Sequence, residues 1–234
     1  MTIQRSSLAL KHIALLEGLS QSRFDRLAQR CQWQSVAAGA PLLLRSEEKS
    51  DVYFLVSGQL RVTTYSANGR QITFRDLNEG DHLGEIAAID GRPRSADVLT
   101  LKPSVVASLD RLAFLELLRE EPMVAERVMQ SLASLVRQLS ERVIDLSTMG
   151  VQNRVHAELL RLAHEVGVSE NRARLDPAPT HAELASRVST NREQVTRELN
   201  ALSRAGVLAK DGKALVVLDV RRLAAMLAEV RGFP

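Results

Sequence analysis

The sequence predicts an α+β protein in three parts: a sheet-forming N-terminal part, one long helix, and a helical C-terminal part that ends in short strands. Three observations carry this prediction. Short β-type runs alternate with glycine-containing turns over residues 31–110. Apolar residues recur at a strict helical period over residues 122–149. Beyond residue 150, capping signals mark several shorter helices.

The composition is typical of a folded soluble chain, with 45% hydrophobic and 25% charged residues among 234. This length suffices for one large or two modest domains. No apolar run approaches the roughly 18 residues that a membrane-spanning helix needs, and the N-terminus lacks a secretory signal pattern. The only cysteine, Cys31, excludes an internal disulfide and a four-cysteine cluster. We therefore expect a cytoplasmic protein with no membrane partner.

The net charge of +3 is unevenly distributed along the chain. Residues 150–234 contain 13 Lys and Arg against 10 Asp and Glu, whereas the remainder contains 18 of each. This excess indicates a polyanionic partner for the C-terminal part, although a solvated charged surface explains the charge equally well.

The first part is expected to begin with one helix, Ile13–Arg30, whose second half Ser20 can cap. Glycine- and asparagine-containing turns then separate short strands, with a strong hairpin signal at Ala67–Arg70. Regularly spaced short strands of this kind predict a sandwich or a barrel-like roll. The predicted strands are Cys31–Val36, Asp51–Val56, Leu60–Tyr65, Gln71–Leu77, Ala96–Leu101 and Val105–Asp110, and the other turns are Ala38–Pro41, Ser57-Gly58 and Asn78–Asp81.

The segment His82–Thr100 has the residues of a site for an anionic ligand. Gly84 allows a tight turn and a close approach of the backbone to a ligand. Glu85–Ile89 can form one helical turn whose free N–H groups face an anion. Arg94 supplies a planar, positively charged guanidinium that can donate two parallel hydrogen bonds to an anion. The Glu85 carboxylate can accept a hydrogen bond from a sugar hydroxyl. The pattern indicates a phosphate-and-ribose ligand; an ordinary turn with a surface ion pair is the alternative.

A short helix over Arg111–Leu118 precedes a long one over Pro122–Met149. The long helix has apolar residues alternately four and three positions apart from Ala125 onward, which is a heptad seam. The seam favours a symmetric homodimer over an amphipathic helix that packs only on its own domain. A second row, Val128, Leu135 and Leu146, can face the chain's own sheet. The predicted dimer-interface residues are Met129, Leu132, Val136, Leu139, Val143 and Leu146.

The C-terminal part begins after a hinge at Met149-Gly150 and predicts a helix-turn-helix followed by a β wing. Capping-box pairs, Thr180 with Glu183 and Thr190 with Glu193, precede the two helices of the motif. The elements in order are helix Gln152–Val166, a break at Pro177–Pro179, helices Ala182–Val188 and Asn191–Ala205, strands Val207–Ala209 and Ala214–Leu218, and helix Val220–Val230.

The second helix of the motif is predicted to have a buried face, formed by Val195, Leu199 and Leu202, and a polar face near its N-terminus. In such motifs the first turns of this helix enter the major groove, where Arg reads guanine and Glu accepts from cytosine. A helical pair with a solvated charged face is the alternative. The predicted DNA-binding residues are Thr190, Asn191, Arg192, Glu193, Thr196, Arg197, Lys210 and Lys213.

Two motifs in the expected order resemble those of the CRP/FNR superfamily of bacterial transcription regulators. Arg192-Glu193-x-x-x-Arg197 is similar to the recognition helix of its cAMP receptor protein branch. The resemblance covers about Leu15–Leu218. The residues that resemble the superfamily's phosphate-binding cassette are Gly84, Glu85, Ile86, Ala87, Arg94, Ser95 and Ala96.

This resemblance implies a cyclic-nucleotide-binding β-roll over residues 1–120, a dimerisation helix over 121–149 and a winged helix-turn-helix over 150–234. It implies a 3′,5′-cyclic nucleotide ligand, cAMP or cGMP, with Glu85 on the ribose 2′-hydroxyl and Arg94 and Ser95 on the phosphate. It also implies a homodimer that binds palindromic double-stranded DNA and acts through RNA polymerase. No cofactor beyond the ligand, no metal and no enzymatic activity are expected.

One position departs from the superfamily pattern. The cAMP receptor protein has a Thr-Ser-Glu-Lys-Val stretch whose two hydroxyls reach the adenine, and the matching residues here are Leu139–Val143. Ser140 is kept, but Leu139 replaces the first hydroxyl. Loss of one hydrogen bond weakens base selection by about 1 kcal/mol. We therefore expect looser discrimination between cAMP and cGMP, or DNA binding that depends less on ligand.

Two other functional interpretations share part of this pattern. The same fold can respond to haem or another effector, or bind DNA without any ligand. A cyclic-nucleotide-regulated enzyme is disfavoured because no region remains for a catalytic domain. Four of the five histidines lie on or directly beside predicted helices, and no nucleophile or metal-ligand set accompanies them; they are His12, His156, His164 and His181.

Overall fold

The computed structural model describes residues 6–231 of the chain. The chain forms two compact units that divide after Val136, inside its longest helix. The expected domain limits at residues 120 and 150 thus lie on either side of this division. The outermost residues of the expected first and last domains, 1–5 and 232–234, lie outside the described residues.

The N-terminal segment folds as two helices joined by a single 3-10 turn. Helix α1 is Ser7–Leu10, the 3-10 turn is Ala14–Leu16, and α2 is Gln21–Arg30. The prediction of one continuous helix over residues 13–30 is wrong, because Gly18 adopts φ +82° and redirects the backbone. The predicted cap at Ser20 is confirmed, since its hydroxyl accepts a hydrogen bond from the Arg23 backbone N–H at 3.4 Å.

Six antiparallel strands follow and form one sheet. Its main order is β1-β6-β3-β4, with β2 paired to β6 and β5 paired to β3. The order confirms the predicted roll and adds the short strands β2 and β5, which the sequence pattern does not indicate. The strands are β1 Gln32–Val36, β2 Pro41–Leu43, β3 Val52–Tyr65, β4 Gln71–Asn78, β5 His82–Leu83 and β6 Asp97–Leu109.

The two central strands, β3 and β6, are each continuous, whereas the sequence predicts a break in each. The predicted turn at Ser57-Gly58 is instead an irregularity within β3, where the pairing with β6 shifts register. Gly58 has φ +101°, and a Cβ there would lie 2.7 Å from the Pro103 carbonyl oxygen. Glycine at this position permits a β-bulge and a close approach of the two strands. Because glycine is also typical of turns, the local sequence alone indicates a turn here.

Alternate residues of β3 face two different cores, which positions the sheet between them. Phe54 packs with Leu109 and Phe114 in a core shared with the helices. Leu55 and Leu60 belong to a second core inside the roll. The helices around the sheet are α3 Glu85–Asp90, α4 Arg111–Glu120 and the first part of α5 Pro122–Thr148.

Helix α5 confirms the predicted long helix and places most of its seam in solvent. Val128 of the predicted second row is buried in the core of the first unit, together with Val124. The predicted seam residue Leu132 packs partly against that same core and keeps an intermediate exposure. The other five predicted seam residues are 40–63% exposed; they are Met129, Val136, Leu139, Val143 and Leu146.

The second unit contains a helical core closed by a three-stranded sheet of order β7-β9-β8. Its core packs Leu159, Leu184 and Val195 against the sheet residue Val217. The sequence does not predict β7, which adds a third strand to the expected wing. The elements are α6 Val151–Val166, β7 Ala173–Leu175, α7 His181–Arg187, α8 Arg192–Arg204, β8 Leu208–Asp211, β9 Ala214–Val217 and α9 Val220–Arg231.

Across residues 6–231, no helix is both long enough and apolar enough to cross a membrane.

Candidate functional site

Gly84 sets the geometry at the start of α3. Its φ is +90°, and a Cβ built on it would lie 2.6 Å from the Asp51 carbonyl oxygen and 2.7 Å from Arg94 Nη1. Only glycine fits this position. Because α3 starts here, its first turn presents backbone N–H groups without intrahelical acceptors, at Glu85 to Ala87. These groups form one side of the predicted anion site.

Arg94 is a buried cation, only 4% exposed. Its Nη1 donates to the Gly84 carbonyl oxygen at 3.3 Å and its Nη2 donates to that of Asp51 at 2.8 Å. The guanidinium carbon lies 5.8 Å from the centroid of the Tyr53 ring. Burial lowers the pKa of Arg94. Within residues 6–231 its Nε has no hydrogen-bond partner and no carboxylate forms an ion pair with it, so the site favours an added anion.

Glu85 is the buried acceptor of the site, at 2% exposure. Its Oε2 has no hydrogen-bond partner among the described residues, and its Oε1 lies 3.9 Å from Nη2 of Arg75. His82 Nε2 is also buried without a partner in this part of the chain. Burial lowers the pKa of His82, and the nearby Glu85 opposes that shift. An unpaired buried carboxylate oxygen is costly, so this atom is suited to accept a ligand hydroxyl.

The structure brings five of the predicted ligand residues together, around Gly84 and α3: Gly84, Glu85, Ile86, Ala87 and Arg94. Ser95 follows on the surface and is exposed. Leu139 and Ser140 belong to the second compact unit, where both are exposed on α5. Sequence reasoning missed Arg75, which the register of β4 against β3 would have placed on the inner side of the hairpin.

The first helix of the helix-turn-helix has the predicted capping box. The Glu183 backbone N–H donates to Thr180 Oγ1 at 3.2 Å, and the Thr180 backbone N–H donates to Glu183 Oε2 at 2.8 Å. This reciprocal pair starts α7 at His181.

The second capping-box prediction, Thr190 with Glu193, is wrong. Asn191 is the N-cap of α8, and its Oδ1 accepts from the Gln194 backbone N–H at 2.9 Å. Thr190 is 4% exposed and its hydroxyl donates to Gln194 Oε1. The structure therefore places Thr190 as a support of the turn, not on the surface where a DNA-binding residue would lie.

Helix α8 confirms the predicted division into two faces. Val195, Leu199 and Leu202 are buried. The exposed candidate DNA-binding residues are Asn191, Arg192, Glu193 and Arg197 at the start of α8 and Lys210 and Lys213 on the β8–β9 hairpin.

Thr196 differs from the other candidates because its hydroxyl is already engaged. It donates to the Arg192 carbonyl oxygen at 2.9 Å and lies 2.6 Å from His181 Nδ1. Since the hydroxyl hydrogen is used, Nδ1 is the donor and His181 Nε2 is the acceptor nitrogen of the ring. Burial, Lys210 and Arg192 together lower the pKa of His181. His181 thus lies among the candidate DNA-binding cations, which its sequence position alone does not indicate.

Several polar side chains hold the turn between α7 and α8. Arg142 of α5 donates to the Arg187 carbonyl oxygen at 2.7 Å, and Arg154 of α6 donates to that of Val188 at 3.0 Å. His156, 1% exposed, places Nε2 2.6 Å from Glu198 Oε1 on α8. These contacts fix α8 relative to α6 and to the last turns of α5.

Over residues 6–231, no group of three or more His, Cys, Asp or Glu side chains is arranged to hold a metal ion. The buried Cys31 thiol has its pKa raised to about 12 by burial, so it is not a reactive thiolate.

Comparisons with known proteins agree with this architecture. Residues 33–121 match the family described as cyclic nucleotide-binding domain, and residues 153–226 match the Crp-like helix-turn-helix domain. Together these two regions contain the site around Gly84 and the capped helices α7 and α8. The described chain therefore joins a cyclic-nucleotide-binding domain to a DNA-binding domain.

Full-length similarities support the same assignment. The "CRP-like cAMP-activated global transcriptional regulator" of Mycobacterium tuberculosis is 26% identical over 92% of this chain and 96% of that protein. The "Cyclic AMP receptor protein" of Thermus thermophilus is 29% identical over 94% of this chain and 98% of that protein. A CooA mutant from Carboxydothermus hydrogenoformans shares the fold, with a TM-score of 0.76, 19% identity and coverage of 90% and 92%. The chain belongs to the CRP/FNR superfamily of transcription regulators.

Proposed function

We propose that this chain is a homodimeric regulator that binds a cyclic nucleotide in its β-roll and then binds palindromic promoter DNA. The observation that carries the proposal is the pair of buried, incompletely bonded groups beside Gly84. Arg94 Nε and Glu85 Oε2 both lack hydrogen-bond partners among residues 6–231. One is a cationic donor and the other an anionic acceptor, which is the pair that a ribose phosphate requires.

Each group then has a role in holding the ligand. The Glu85 Oε2 accepts a hydrogen bond from the ribose 2′-hydroxyl. Arg94 Nε and the free N–H groups at the start of α3 donate to the cyclic phosphate. The exposed hydroxyl of Ser95 adds a donor to the phosphate. The ligand is cAMP or cGMP.

The dimer forms through the exposed apolar seam of α5. A row of apolar side chains at heptad spacing is unfavourable in water, and a second copy of the same helix covers it symmetrically. The seam residues that contribute are Met129, Val136, Leu139, Val143 and Leu146, with Leu132 at its inner edge.

The paired α8 helices then read two half-sites about 34 Å apart. Arg192 and Arg197 donate to guanine and Glu193 accepts from the cytosine amino group, which favours half-sites of the TGTGA/TCACA type. Asn191, Lys210 and Lys213 contact phosphates, so DNA affinity falls steeply as salt rises. The protein acts in the cytoplasm, changes transcription through RNA polymerase, and has no catalytic role of its own.

Calorimetric titration of cAMP and cGMP into wild type and Arg94→Ala tests the ligand part of this proposal. Removing the buried cation abolishes binding of both nucleotides. The exposed Arg92, two residues away, provides the matched control, and Arg92→Ala retains wild-type affinity. Wild-type protein that binds neither nucleotide, or Arg94→Ala that binds as tightly as wild type, contradicts the proposal. Circular dichroism melts verify that both variants are folded.

A further inference from the structure

We propose that Arg75 determines the base preference of the ligand site and selects guanine over adenine. The inference rests on the cyclic-nucleotide function proposed above and assigns a role to a residue outside the cassette.

Arg75 extends from the β3–β4 hairpin toward the ribose acceptor. It pairs in register with Val62 of β3, and Val62 packs against the core inside the roll. Directly paired residues in an antiparallel sheet share one face, so Arg75 leaves the strand on the inner side. Its Nη2 reaches to 3.9 Å from Glu85 Oε1, and its side chain stays 29% exposed. The guanidinium therefore lies next to the Glu85 carboxylate and remains open to solvent.

The Arg75 guanidinium makes one loose ion pair, with Glu85, and no hydrogen bond in the described structure, in contrast to its neighbour Arg61. Arg61 forms a two-bond pair with Asp76, at 2.8 and 3.0 Å, directly across the same hairpin. The 3.9 Å separation from Glu85 exceeds a hydrogen bond, and no acceptor within residues 6–231 receives one from the Arg75 guanidinium. Arg61 thus stabilises the hairpin through its bonds to Asp76, whereas the guanidinium N–H groups of Arg75 are available to donate to a ligand.

The location of the base follows from that of the ribose. When Glu85 Oε2 accepts the 2′-hydroxyl, the base is attached to the adjacent ribose carbon and lies within reach of the long Arg75 side chain. Guanine presents two neighbouring acceptors, O6 and N7, that match a guanidinium fork. Adenine presents N7 beside the N6 amino donor, which faces an Arg75 donor and forms no bond. Arg75 thus favours cGMP.

Substitution by glutamine provides a sharp test, because a glutamine amide matches the N6/N7 edge of adenine. Wild type is expected to bind cGMP about tenfold more tightly than cAMP. Arg75→Gln loses about tenfold or more in cGMP affinity, and its cAMP affinity is unchanged or higher. Arg75→Lys keeps the charge without the fork and also loses the cGMP preference. The affinities are measured by calorimetry on the full chain.

Arg70→Gln is the matched control, since Arg70 is exposed in the turn of the same hairpin, and it leaves both affinities unchanged. Equal losses for both nucleotides in Arg75→Gln would overturn the inference, because they would make Arg75 a support for Glu85 alone. Unchanged affinities in Arg75→Gln, or a wild type without cGMP preference, would overturn it as well. Wild type that binds neither nucleotide contradicts the proposed function itself, which separates the two failures.

Discussion

At the residue scale, the placement of the Arg94 side chain depends on Gly84 having no side chain. Arg94 donates to the carbonyl oxygens of Gly84 and Asp51, and its guanidinium occupies the space that a Gly84 side chain would need. The protein's own backbone therefore fixes the cation. Preorganisation of this kind reduces the entropy lost when the ligand binds.

Gly84→Ala is expected to destabilise the protein more than Gly69→Ala. Both residues have positive φ, so each alanine is strained by about 1–2 kcal/mol. Only the Gly84 variant also collides with Asp51 and Arg94, which adds about 1–3 kcal/mol. At Gly69 nothing lies within 4 Å. Urea denaturation measures both unfolding free energies, and equal losses would contradict the close contact at Gly84.

His82 makes stability depend on pH. Burial lowers its pKa in the folded chain below the ordinary 6.5, so between these two values the unfolded chain binds more protons. Stability therefore falls as the pH drops below 6.5 and levels off below the folded pKa. His82→Gln removes this contribution. Unfolding free energies measured from pH 7.5 to 5 should show a smaller loss in the variant, and parallel curves would exclude His82 as the cause.

At the scale of elements, the sequence predicted those parts whose signals are local. The long helix α5, the α7 capping box and the buried face of α8 are all predicted from spacing along one helix, and each is confirmed. The short strands β2 and β7 carry no such pattern, because pairing with distant partners, β6 and β9, creates them. The same holds for Gly58, whose bulge depends on the approach of Pro103.

The candidate site divides in the same way. The cassette from Gly84 to Arg94 is local and could be read from the sequence. Arg75 reaches Glu85 through strand register, and His181 reaches Thr196 through the packing of α7 on α8. Neither contact has a local signal.

Replacement of the α8 cap tests the corrected helix start. Asn191→Ala is expected to lower the unfolding free energy by about 1 kcal/mol, because Gln194 loses the acceptor of its backbone N–H. Asn200→Ala, an exposed change on the same helix, should be neutral or slightly stabilising because alanine favours helix. Denaturant titration compares the two, and equal effects would contradict the assignment of Asn191 as the cap.

At the scale of the whole molecule, the proposed function requires two chains. The seam of α5 leaves large apolar side chains exposed in one copy, and it continues across the division between the compact units after Val136. Helix α5 has residues in both units, so in the proposed dimer it would connect nucleotide binding to DNA binding.

A charge in the seam should therefore separate the copies. Val143→Glu places two carboxylates opposite each other in the proposed interface, and sedimentation velocity is expected to show a monomer with weakened DNA binding. Gln130→Glu adds the same charge at an exposed position outside the seam and remains dimeric. A Val143→Glu protein that sediments as a dimer would place the interface elsewhere.

Fluorescence anisotropy with a labelled TGTGA/TCACA palindrome tests the central claim, that nucleotide binding at the cassette controls DNA binding. Wild type is titrated with no nucleotide, with cAMP and with cGMP, beside Arg94→Ala. We expect at least one nucleotide to tighten wild-type binding by about tenfold or more, and DNA to tighten nucleotide binding by the same factor. Arg94→Ala should show no response to either nucleotide. Wild-type DNA affinity that is the same with and without both nucleotides would contradict the account.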